Sequence, residues 1–93
     1  MARIYQSPTM SEAQVRVALV TDRAHADLLV YRVGSWGQAH GDALWFFTRN
    51  KQDANCWVHM TAPGMAELRV RFVDTYGEAG WMNTAHRLRG KLG

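Results

Sequence analysis

Val15-Arg16-Val17-Ala18-Leu19-Val20-Thr21-Asp22-Arg23-Ala24-His25-Ala26 runs directly into Asp27-Leu28-Leu29-Val30-Tyr31-Arg32-Val33-Gly34-Ser35-Trp36-Gly37-Gln38-Ala39. The two segments read as successive copies of one unit: an apolar, β-branched run, a short polar residue, a turn, and an alanine. Extended outward, the same unit recurs along the chain. Alanine stands at positions 13, 26, 39, 54, 66 and 79, with spacings of 13, 13, 15, 12 and 13 residues. Eight or nine residues before each lies a large apolar residue: Ile4, Val17, Val30, Trp45, Val58 and Val70. Two before those come Ala2, Val15, Leu28, Ala43, Cys56 and Leu68. An internal period of this kind governs the fold and has to be read before any local assignment.

The runs 15–20, 28–33, 43–48, 56–61 and 68–73 are rich in Val, Leu, Thr and aromatics, the composition of short strands. The first two apolar columns are two residues apart, as a pleat requires. A third column is expected three residues further on, at Ser7, Val20, Val33, Thr48, Thr61 and Val73, so a bulge or corner is expected within each run. Thr9, Asp22, Ser35, Asn50 and Thr75 then supply short side chains that accept a hydrogen bond at the start of a helical turn. Asp27, Asn55 or Glu67 restarts the next strand. The expected fold class is mostly β: six strand-plus-turn repeats of about thirteen residues stacked as a solenoid. The alternative is a six-stranded antiparallel meander or small barrel, because thirteen residues are short for a parallel crossover. Residues 1–81 form the repeat domain, and residues 82–93 a short C-terminal helix, cap or basic tail.

The units also carry a resemblance. Ala26-Asp27-Leu28-Leu29-Val30-Tyr31, Asp74-Thr75-Tyr76-Gly77-Glu78-Ala79-Gly80-Trp81 and Gly41-Asp42-Ala43-Leu44-Trp45-Phe46-Phe47 resemble an uncharacterised family of short bacterial β-repeat proteins, a domain of unknown function. The likeness spans nearly the whole chain and implies a bacterial origin and a single repeat domain. It brings no site residue with it.

The composition bounds function. With 93 residues, 47% apolar and 20% charged, the chain has the length of one domain and the makeup of one that folds. No apolar stretch approaches the ~20 residues of a membrane span, and one cysteine fits a reducing compartment, so the expected location is cytoplasmic. The net charge of +3 is not spread evenly: Arg87, Arg89 and Lys91 in the tail carry it, while the rest is balanced. These three cations are the candidate anion-binding residues. Alone they give weak, salt-dependent affinity, which makes nucleic acid at most an accessory ligand.

No catalytic set, metal-ligand set or cofactor motif emerges. His25, His40, His59 and His86 lack the spacings that put two ligands on one face. Cys56 sits in a column of core residues, and Glu12, Asp53 and Glu78 share a turn position that solvation explains. The outward columns are more informative. Leu29, Tyr31, Leu44, Phe46 and Trp57 would form an apolar ladder over the central units, with arginine at the rims, the makeup of a protein interface. Covering of that face within the fold, or stacking of sugars or bases, would explain the same residues. The expectation is therefore a non-catalytic protein-binding module, whose most specific form is an immunity protein that plugs a toxin. A homo-oligomer or a small anion-binding protein is the alternative.

Overall fold

The computed structural model describes residues 2–92. Seven strands carry the fold: β1 (Ala2–Gln6), β2 (Val15–Leu19), β3 (Leu28–Arg32), β4 (Leu44–Thr48), β5 (Cys56–Met60), β6 (Leu68–Val73) and the short β7 (Gly80–Trp81). They form one sheet in the order β4-β1-β5-β2-β6-β3, and a further β3–β4 pairing closes it. All six pairings around this barrel are parallel. Only β7 is antiparallel; it adds Gly80 and Trp81 alongside Leu29 and Leu28 of β3. The fold is thus mostly β and closed, which bears out the barrel. The solenoid and the antiparallel meander are both overturned.

A thirteen-residue unit leaves little chain for a parallel crossover. The register removes that objection. Gln6 of β1 and Val15 of β2 both pair with Val58 of β5, so the end of one strand stands level with the start of the next. Leu19 and Leu28 are related in the same way through Val70 of β6. With strands so steeply staggered, a connection need not travel back down the barrel; it only steps over one strand. Residues 7–14 leave from Val58 O, where the Ser7 N–H donates at 2.7 Å, and land on Trp57 O, where the Gln14 N–H donates at 2.8 Å. Residues 20–27 step over β6 and residues 61–67 over β2 in the same manner. β1, β2 and β3 make a first winding, and β4, β5 and β6 a second that interleaves with it. Neighbouring β3 and β4 join the two windings, and the fifteen-residue alanine spacing, 39 to 54, falls across this junction.

The residues just before β2, β3, β5 and β6 lock this arrangement. The Asp27 N–H donates to Arg69 O at 2.8 Å while its carboxylate accepts from the Arg69 N–H at 2.9 Å. Gln14 does the same with Trp57, Asn55 with Arg3, and Glu67 with Arg16. Each clamp ties the beginning of one strand to its neighbour and satisfies backbone groups that the ladder leaves open. In the crossovers, Asp22 and Asn50 cap 3-10 turns at Arg23–His25 and Lys51–Asp53, accepting from the Ala24 and Gln52 N–H groups.

The interior holds the first two sequence columns: Ala2, Val15, Leu28, Cys56 and Leu68, then Ile4, Val17, Val30, Trp45, Val58 and Val70, all buried. Trp45 is the largest of the fully buried side chains, and its indole N–H donates to Asp42 O at 2.6 Å. The expected third column does not point inward. Val20 and Val73 join Leu29 in a small cluster outside the barrel, and no corner is needed because the pleat continues to Gln6, Leu19, Arg32, Phe47, Met60 and Phe72.

The tail is neither a helix nor a frayed end; no α-helix occurs among the described residues. Leu88 and Leu92 join the barrel core, with Leu92 only 1% exposed. The Asp42 carboxylate accepts from the Gly90 and Leu92 N–H groups and from the Trp81 indole. Asn55 Nδ2 donates to Leu92 O at 3.1 Å, and His86 stacks on Trp81. The tail therefore plugs the end of the barrel where the strands begin.

Candidate functional site

With one end plugged, the opposite end is the open one. There the strands finish in the six residues that continue the pleat one step beyond the core: Gln6, Leu19, Arg32, Phe47, Met60 and Phe72. Together with Tyr5, Thr48 and Arg49 they line a depression of about 500 Å³. Phe47 and Phe72 of its lining pack on the buried Trp45. Trp45, Phe47 and Phe72 meet edge to face, with ring centroids 5.9 to 6.4 Å apart. The Arg32 guanidinium lies over both phenylalanines, its Cζ 5.3 Å from each ring centre. That position holds the cation by attraction to two ring faces. Leu19 is half exposed at the rim.

Sequence reading misses this site because its column, Gln, Leu, Arg, Phe, Met and Phe, mixes polar with apolar side chains, whereas the column one position later, Ser7, Val20, Val33, Thr48, Thr61 and Val73, is uniformly small or β-branched and reads as the regular one. The usable signal was alternation itself: counting two residues past each second-column residue returns all six lining positions.

The residues expected to form an apolar ladder are dispersed. β1 separates β4 from β5, so Phe46 and Trp57 flank Arg3 and Tyr5 instead of lying on adjacent strands. Leu29 and Leu44 are buried, Leu29 in the outer cluster with Ala26, Val73 and Ala79. Tyr31 packs against that cluster half-buried. Trp57 meets Tyr5 edge to face at 5.6 Å, its indole donates to Lys51 O, and the Lys51 ammonium lies over both rings. Phe46 lies in a groove on the outer face of β4, beside Gly34 and Ser35 of the β3–β4 connection, while Tyr31 and Leu44 line a separate one with Gly37, Gln38 and Tyr76.

The tail cations are placed individually. Arg87 is ion-paired with Glu67, which holds that carboxyl below the usual range, and Arg89 reaches Thr84 O. Lys91 is exposed. The three do not make one patch with the mouth, which lies at the other end of the barrel. Cys56 is in the core, and burial, with Asp42 adding to it, pushes its thiol up to about 11. His59 and His86 each hydrogen-bond a main-chain carbonyl, of Ser7 and Glu67 respectively. Glu12 pairs with Lys51, and Glu78 with Arg23.

Interleaved windings whose connections step over one another are an uncommon topology, since protein chains rarely thread themselves. Residues 1–82 match the family model described as the 7(1) septoil knot domain. The chain belongs to that family. A knot in the family's description fits a chain whose two windings interlace as these do. The septoil knot domain so matched ends just after β7, and the plugging segment that follows lies outside the match. Searches of curated proteins and of solved structures find no match. Among the described residues of this septoil knot domain, no helix is long and apolar enough to cross a membrane.

Proposed function

We propose that this septoil knot domain is a non-catalytic binding module that receives its ligand in the open mouth. The observation that carries the reading is the asymmetry of the barrel: one end is filled by Leu88 and Leu92, while the other keeps a depression of about 500 Å³, in the range of small-molecule sites. Binding is favoured over catalysis by the lining itself, which contains no His, Cys, Asp, Glu or Lys. Thr48 and Tyr5 have no base beside them there to activate a hydroxyl. The test is amide chemical-shift mapping with a mixture of small organic fragments. Shifts clustered at residues 6, 19, 32, 47–49, 60 and 72 are expected. Shifts confined to the outer strand faces would refute the reading.

A second reading keeps the outer surface as a protein interface. It is favoured by Phe46, whose groove of about 450 Å³ is bounded by Arg3, Gly34, Ser35, Thr48 and Asp53. An aromatic with an arginine beside it is the usual makeup of an interface anchor. Phe46→Glu would abolish association while leaving the far-UV circular dichroism intact; loss of the fold would show instead that Phe46 is structural.

A further inference from the structure

The mouth is electrostatically one-sided. Its lining carries two guanidinium groups, Arg32 and Arg49, and no acid. Elsewhere on the molecule, carboxylates take up the cations of Arg16, Arg23, Lys51 and Arg87. Among the described residues, no carboxylate pairs with Arg32 or Arg49, and no protein acceptor meets the N–H edge of Arg32. A concave, low-dielectric wall focuses such charge on whatever enters. The same wall is apolar over much of its area: Phe47, Phe72, Met60 and Leu19 offer ring faces, a thioether and an isobutyl group. We propose that the mouth takes a small organic carboxylate with a flat apolar body.

In this arrangement the guanidinium of Arg32, seated over Phe47 and Phe72, offers its N–H fork to the carboxylate. Arg49 and Thr48 line the same mouth, and Arg49 supplies a second guanidinium. A planar fork matches the two oxygens of a carboxylate. A phosphate group would ask for more donors, of the kind that loop backbone N–H groups supply; the walls here are strands whose N–H groups are engaged in the ladders. The body then covers Phe72, Met60 and Leu19, an apolar surface that a bare inorganic anion would leave wet.

This inference rests on the mouth being the binding site, and its test separates the two. Three probes are titrated into isotope-labelled protein at constant ionic strength: 2-naphthoate, 2-naphthalenemethanol and inorganic phosphate. The wild-type chain is compared with Arg32→Gln and Arg49→Gln, both at exposed positions. Naphthoate is expected to shift the amides around residues 6, 19, 32, 47–49, 60 and 72 and to bind about ten- to a hundredfold more tightly than the alcohol, the usual worth of a charged hydrogen bond. Arg32→Gln should erase that advantage, and Arg49→Gln should reduce it. If the alcohol binds the mouth as tightly as naphthoate, recognition of charge is overturned while the mouth remains a binding site. If phosphate displaces naphthoate at equal concentration, the apolar body is overturned. If none of the three perturbs the mouth, both this inference and the proposed function fall.

Discussion

Leu92→Ala is the perturbation that separates a structural plug from a dangling tail. Leu92 is 1% exposed and packs with Leu88 against the barrel core. Its main-chain contacts, the N–H to Asp42 Oδ1 at 3.0 Å and the carbonyl from Asn55 Nδ2 at 3.1 Å, survive truncation of the side chain. The substitution therefore isolates the apolar contact. Buried Leu→Ala changes cost about 2–5 kcal/mol, and a segment next to the chain end can settle into the space, so about 2 kcal/mol is expected. Lys91→Ala is the control: the side chain is exposed, the Lys91 N–H still donates to Leu88 O, and the change should stay within about 0.5 kcal/mol. Urea unfolding followed by tryptophan fluorescence reads both, with the midpoint moving and the slope unchanged. In a domain of this size the Leu92→Ala deficit corresponds to roughly 10 °C in Tm. Asp42→Ala should destabilise comparably and less than additively with Leu92→Ala, because both loosen one plug. If Leu92→Ala and Lys91→Ala are equally mild, the base of the barrel is not closed by the tail and the reasoning fails.

Further outcomes follow from individual side chains. Ala39 has no exposed surface, so Ala39→Leu should overpack and cost about 1–3 kcal/mol, whereas its exposed neighbour Gln38 should accept leucine almost freely; thermal unfolding compares the two. The carboxyl of Glu67 is held below its ordinary 4.5 by its hydrogen bond from Arg87, with Arg16 assisting. A depressed carboxyl stabilises the fold above its unfolded pKa, and that stability drains as pH falls through the folded value. Stability should therefore decline below about pH 4.5, and Glu67→Gln should flatten part of the decline in urea titrations at successive pH values. With its thiol pushed up to about 11 by burial, Cys56 should resist an aromatic disulfide reagent at pH 8 in the native protein and react promptly in denaturing urea.

The extent to which the sequence discloses the fold depends on which force places each residue. Strand positions and the two core columns were readable because the interior imposes apolar character at every second residue, and Ile4, Val17, Val30, Val58 and Val70 obey it. The capping residues Asp22 and Asn50 and the restart residues Asp27, Asn55 and Glu67 were readable because backbone groups there need short polar partners. Strand order was not readable. A stacked coil and an interleaved barrel place the same residues inward, and what separates them is the stagger that sets Gln6 and Val15 level on either side of Val58. Burial of Leu29 followed from that hidden order, since residues 75–79 pass over β3 only when β7 returns beside it. Of the mouth, the meeting of Arg32 with Phe47 and Phe72 was not readable, because it depends on β3 lying between β4 and β6. The tail misled for a related reason: three cations in its last seven residues masked Leu88 and Leu92, the two that pack.

The most direct measurement of the central claim, a barrel closed at its base by its own tail and open where the strands end, is solvent paramagnetic relaxation of methyl groups by a neutral gadolinium chelate. The methyl groups of Leu19, half exposed, and of Met60 on the mouth wall should relax strongly, while those of Leu92 and of Val15 and Val17 in the core stay shielded. Leu92 methyl groups relaxing as fast as those of Leu19, or a Met60 methyl as protected as the core valines, would contradict it.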